Sequence, residues 1–167
     1  MNPADDHLDA VVLSAEEYDA IRAAITAVAR PRADGQQPTL NSLLEQWSGI
    51  AAELEQEQEL EQEGYSDCAP EFHNSIWCRS ALARIWPLLP LRVRSIRQPE
   101  LDRIDERYRQ ATVPWPGRPE DGAGWWVRRV PRRLEVEASE HREGDWPLGW
   151  EVTGFPRPAA VQIITWG

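Results

Sequence analysis

Residues 40–64 read Leu40-Asn-Ser-Leu-Leu-Glu-Gln-Trp-Ser-Gly-Ile-Ala-Ala-Glu-Leu-Glu-Gln-Glu-Gln-Glu-Leu-Glu-Gln-Glu-Gly64, and two patterns share them. In the first, Leu40, Leu43, Leu44, Trp47, Ile50 and Leu54 recur at helical spacing, the stripe of a helix packed on one face. That helix begins near Thr39 or Asn41. In the second, glutamates occupy every other position from Glu53 to Glu63, and Leu60 is the only large apolar residue among the last eight. Steps of two turn an α-helix by about 200°, so these carboxylates surround the cylinder. Like charges at Glu53/Glu57, Glu55/Glu59 and Glu57/Glu61 each oppose the helix by roughly 0.2–0.5 kcal/mol. A helix that continues after its apolar stripe has run out is expected to carry its end into solvent.

Working upstream, Ser14 and Glu17 form a capping box, and Tyr18, Ile21, Ile25 and Val28 continue as a one-sided stripe. Arg30-Pro31 and Asp34-Gly35 close that helix. Downstream, Pro70 suits the first turn of a third helix carrying Phe72, Ile76, Leu82, Ile85 and Trp86, which Pro87 and Pro90 stop. Residues 88–98 read ambiguously. A fourth helix is expected from Pro99, with Glu100 and Asp102 in its first turn and a stripe of Leu101, Ile104, Tyr108 and Ala111. Beyond Val113 the chain changes character. Proline and glycine punctuate short alternating runs at 134–138, 150–152 and 161–163, which read as strands, although 131–143 also reads as a helix opened by Pro131. The expected fold class is α+β: one domain over 1–167, with a bundle of about four helices over 10–112 and a smaller Trp-rich β or irregular segment over 120–167.

Charge is distributed as unevenly as structure. The 167 residues carry a net −10, yet residues 1–70 hold fifteen acids against three arginines, and 71–167 hold thirteen acids against fifteen arginines. The first part is therefore −12 and the second +2. All eighteen basic residues are arginine, which with 14 Pro and 9 Trp suggests a high-GC coding bias. Arginine here also does the surface work of lysine, which weakens any inference from its enrichment. The glutamate tract has three readings: a solvated helix end, internal neutralisation by the arginine-rich part, or a docking surface for a basic partner. Concentrated negative potential of the last kind speeds association and selects partners.

Few function classes find a motif. Trp125-Trp126-Val-Arg128-Arg129 could stack bases and neutralise phosphates, but a net −10 opposes nucleic acid. The bland alternative places both tryptophans in the core and the arginines against acids or indole rings. Cys68-x4-His73-x4-Cys78 lacks the fourth ligand and the close pairs of structural zinc. On one helix, Cys78 and His73 would point about 140° apart, which opposes a nucleophile–base dyad. Glu137 and His141 share a helix face only if that stretch is helical. No P-loop, GxGxxG or Gly-x-Ser-x-Gly is present. The N-terminus lacks a signal-peptide pattern, no apolar run approaches the ~20 residues of a membrane span, and two cysteines make no disulfide framework. A cytoplasmic location is the expectation.

Leu101-Asp-Arg-Ile-Asp-Glu-Arg-Tyr-Arg-Gln-Ala-Thr112, a Pro/Gly loop, and Gly124-Trp-Trp-Val-Arg-Arg-Val-Pro-Arg-Arg-Leu134 span 101–134, about a fifth of the chain. This stretch resembles small, acidic, mostly helical proteins common in high-GC actinobacteria. The resemblance implies a bacterial cytosolic origin and a helical N-terminal part, and carries over no activity and no site residue.

The expectation from sequence is a non-catalytic cytosolic binding protein, an immunity- or antitoxin-like inhibitor of a basic toxin or effector. Its partner-binding residues would be Glu53, Glu55, Glu57, Glu59, Glu61, Glu63 and Asp67. The alternative is a small enzyme or ligand-binding protein whose pocket lies between the bundle and the Trp-rich segment, at Trp125, Trp126, Arg128 and Arg129. No catalytic residue, metal ligand or cofactor is expected, nor direct nucleic-acid or membrane binding.

Overall fold

Ser14 opens the first helix by accepting from the Glu17 N–H at 3.1 Å, while the Glu17 carboxylate accepts from the Ser14 N–H at 2.9 Å. The computed structural model describes residues 12–29, 33–59, 63–116, 124–151 and 155–167. It is an α+β protein, helical over 15–111 and followed by small sheets among a Trp-rich aromatic cluster. The helices are α1 (Ala15–Val28), α2 (Leu40–Glu59), α3 (Ala69–Ser75), α4 (Trp77–Ile85) and α5 (Leu91–Ala111). The strands are β1 (Thr112–Pro114), β2 (Arg129–Pro131), β3 (Arg133–Glu137) and β4 (Gln162–Trp166). Among the described residues no helix is long and apolar enough to cross a membrane.

Two helix expectations change. The third helix is two, because the chain turns at Ile76 between α3 and α4. The fourth begins at Leu91, not Pro99. Pro90 supplies the carbonyl that accepts from the Arg94 N–H at 3.0 Å, so residues 91–98 are helical and Pro99 lies inside α5. Pro99 faces solvent, where the missing N–H and the ring have least to disturb. The acidic α2 ends at Glu59 among the described residues; 60–62, and so Glu61, lie outside them, as do the expected helix-closing residues Arg30-Pro31.

The chain falls into two compact units that do not follow sequence order: 1–46 with 78–103, and 47–77 with 104–167. In the first, Ile25, Leu43, Leu44, Leu82, Ile85 and Val93 are buried. Both the Ile25 and the Leu82/Ile85 stripes read from sequence therefore face inward, while Tyr18 stays half exposed. Removing such a side chain to alanine typically costs 2–5 kcal/mol, as transfer and cavity terms add.

In the second unit Trp47 is fully buried against Tyr108, ring centroids 4.6 Å apart. Its Nε1–H donates to Asp105 Oδ1 at 2.9 Å. Tyr65, Phe72, Trp146 and Trp150 form a second aromatic group, with Trp146 and Trp150 stacked at 5.9 Å and Tyr65 edge-on to Phe72 at 5.3 Å. Such pairs add to the stabilisation from buried area itself. β1 and β2 pair antiparallel, Val113 opposite Val130. β3 and β4 pair parallel, Arg133 opposite Gln162 through Glu137 opposite Trp166. Tyr65 flanks β3 on its other side, donating to Arg133 O at 2.9 Å and accepting from Glu135 N at 2.8 Å.

Residues 131–143 thus resolve as a strand whose Leu134 and Val136 are buried, then a 3-10 turn over Ala138–Glu140. The Glu137–His141 helix face does not exist. The alternating run at 161–163 is realised as β4, whereas Trp150 lies in a turn, not a strand, and Val152 falls outside the described residues.

Candidate partner-binding surface

The glutamates of α2 meet different surroundings because steps of two turn them around the helix. Glu55 faces α5. Its two carboxylate oxygens each accept from the Arg107 guanidinium at 2.9 Å, a bidentate pair. That bonding raises the Arg107 pKa further. Glu53, Glu59, Glu63 and Asp67 are exposed. Glu57 is half-buried, and its carboxyl is pushed up to about 7, first by desolvation and then by the charges of Glu53, Glu135, Glu63 and Asp67. Those four acids are its electrostatic neighbours, drawn from α2, the connection to α3, and β3.

Arginine is present here too. Arg133 donates to backbone carbonyls, Glu57 O in the last turn of α2 at 3.2 Å and Glu63 O beyond it at 3.3 Å. Gly64 then brings the chain against β3: a Cβ there would lie 3.1 Å from Arg133 O and from Glu135 N. Its N–H donates to the Glu135 carboxylate at 3.2 Å. The acidic end of α2 is therefore tied to β3 through its backbone, which corrects the expectation of a tail projecting freely into solvent. Glutamate spacing gave no sign of this anchoring, since Arg107 and Arg133 lie 52 and 76 residues from the groups they hold.

The residues of the alternative pocket are half-buried and engaged in structure. The Arg109 guanidinium carbon sits 3.9 Å from the centre of the Trp125 ring. Trp126 O accepts from the Tyr108 hydroxyl at 2.9 Å. Arg128 donates to Pro116 O. Arg129 donates to Thr112 Oγ1 at 2.7 Å and to Arg109 O at 2.9 Å; burial is the main cause lowering its pKa.

A groove of about 870 Å³ occurs in the first unit, lined by residues including Tyr18, Ile21, Ile25, Leu40, Val93 and Ile96, with Arg22, Arg97 and Arg103 among its polar positions. Trp125, Trp126, Arg128 and Arg129 do not line it. Arg97 is fixed there by Glu100 at 2.9 Å and Asn41 at 2.6 Å.

Both cysteines are free thiols, Cys68 exposed and Cys78 buried. Burial pushes the Cys78 thiol up to about 12, so it stays protonated and is no nucleophile near neutral pH. Among the described residues no cluster of His, Cys, Asp and Glu is arranged to hold a metal ion. Compared with family models, curated proteins and solved structures, the chain matches none.

Proposed function

We propose that the protein is a non-catalytic binding protein that takes a basic protein partner on the acidic surface formed by Glu53, Glu57, Glu59, Glu63 and Asp67, as an immunity- or antitoxin-like inhibitor would. One observation carries the reading. Glu53, Glu59, Glu63 and Asp67 are exposed on a segment whose backbone Arg133 holds, and Glu53, Glu63 and Asp67, with Glu135, crowd the half-buried Glu57, whose carboxyl desolvation and these charges raise. Acidic groups thus stand close together at a surface that is anchored at its backbone and exposed at its carboxylates. A partner's guanidinium groups would relieve that repulsion, and the fixed backbone lowers the ordering cost of binding. Glu55, already paired with Arg107, contributes less than the sequence pattern implied.

The test separates this surface from net charge. The triple variant Glu53→Gln, Glu59→Gln, Glu63→Gln and a control, Glu16→Gln, Glu45→Gln, Glu143→Gln, carry the same total charge. Binding to an arginine-rich peptide is expected to weaken about tenfold or more in the first, chiefly through the on-rate, and little in the second. Equal weakening would reduce the proposal to nonspecific charge. Capture of a basic protein from native extract by the wild type but not the first variant would identify the partner.

The groove among α1, α2 and α5 favours a second reading, a small-ligand-binding protein, since its volume and mixed lining suit a metabolite-sized molecule. A thermal-shift screen addresses it, because a ligand bound only by the native state raises stability by mass action.

A further inference from the structure

The parallel pair β3–β4 is unusual company for solvent. Parallel ladders are normally covered, and two strands alone are marginal. β3 is flanked on both sides, by Tyr65 and by β4. β4 is flanked on one side only among the described residues.

The hydrogen bonding defines which groups lie at the open edge. Gln162 N–H donates to Arg132 O at 2.9 Å, so Gln162 points its backbone at β3. With the alternation of a parallel ladder, Ile164 and Trp166 do the same. The N–H and C=O of Ile163 and Thr165 face outward. Natural edge strands usually carry a charge, a proline or a bulge that blocks further pairing. Gln162-Ile-Ile-Thr-Trp166 has no charge and no proline, its pairing with β3 is continuous, and Trp166 is 53% exposed.

We infer that β4 pairs with β4 of a second copy of this chain, antiparallel about a two-fold axis at Ile164, making a four-stranded sheet β3–β4–β4–β3. The register follows from the outward groups. Ile163 of each copy would oppose Thr165 of the other as hydrogen-bonded pairs, giving four backbone hydrogen bonds, and Ile164 would oppose Ile164 in the close, non-hydrogen-bonded position. Trp166 would oppose Gln162 and lie diagonal to the second Ile164, covering an exposed indole. A second copy suits this edge because the strand carries no charge: two molecules of net −10 can meet here without opposing like charges. The same patch serves both partners, as a two-fold interface requires. Five-residue edges bury less than a standard interface, so the association is reversible and concentration-dependent.

Sedimentation of the full chain at micromolar and millimolar concentration is expected to show a monomer passing to a dimer. Amide exchange read by NMR should show Ile163 and Thr165 protected at high concentration and losing protection on dilution, with Gln162, Ile164 and Trp166 protected throughout. Ile164→Asp should be monomeric, as should Ile164→Lys, and an equimolar mixture of the two should restore the dimer. A wild type monomeric at millimolar concentration, or a dimer in which the Ile163 and Thr165 amides exchange freely, overturns the proposal. If the charged variants fail to fold by circular dichroism, the exchange measurement on the wild type still decides.

Discussion

Asp105 is only 5% exposed, and the indole N–H it accepts belongs to a tryptophan with no exposed surface. Truncation there leaves a buried donor unsatisfied. Asp105→Ala should therefore lose about 1–3 kcal/mol in urea unfolding, and Asp105→Asn, which keeps an acceptor, distinctly less. Glu57 acts in the opposite sense, through a proton. Its folded pKa, about 7, lies above the ordinary 4.5, so the folded state holds the proton more tightly than the unfolded chain. Its contribution is full below the lower value and declines as pH rises through the higher one. Glu57→Gln should flatten this decline between those values, gaining on the wild type at about pH 8 and matching it at about pH 5. Denaturation midpoints measured across that range check the sign.

Among the elements, α1 and α5 give contrasting tests. Ser14→Ala removes the acceptor of the capping box and should cost about 1 kcal/mol, read as a lower thermal midpoint. The carboxylate partner matters too, since Glu17 is held below the ordinary carboxylate range by its bond to the Ser14 N–H, with Arg92 adding to the effect. Pro99→Ala, at an exposed interior position of α5, should raise stability by about 1–3 kcal/mol by restoring an N–H for Ser95 O and removing the ring. The contrast also marks what was legible in the sequence. Capping boxes and apolar stripes are local, so α1 and the start of α2 could be read directly, while the alternation in β3 left strand and helix both open. Pro90 and Pro99 look alike in one dimension, and only the fold makes one the entry to α5 and the other a solvent-facing interruption. The turn at Ile76 carries no glycine or proline to announce it. Pairing of β3 with Tyr65 and β4 spans tens of residues and leaves no local trace. For the same reason the acidic surface was visible as composition, while the arginines that fix its backbone and occupy Glu55 were not.

For the whole molecule, a net −10 concentrated in residues 1–70 sets a general electrostatic cost on compactness. Raising sodium chloride from low to physiological concentration should raise the melting temperature, because screening weakens repulsion between exposed carboxylates more than the half-buried Arg107–Glu55 pair. A falling melting temperature would mean that favourable ion pairs outweigh the repulsion.

The two cysteines have a practical consequence of their own. Cys78 is buried and protonated, whereas Cys68 is exposed beside Asp67, whose backbone carbonyl accepts from the Trp150 indole at 3.2 Å. A maleimide dye added to the unmodified protein will attach at one position only, next in sequence to Asp67 of the proposed acidic surface. Arrival of a cationic partner should then register as a change in dye emission, with no engineered residue required.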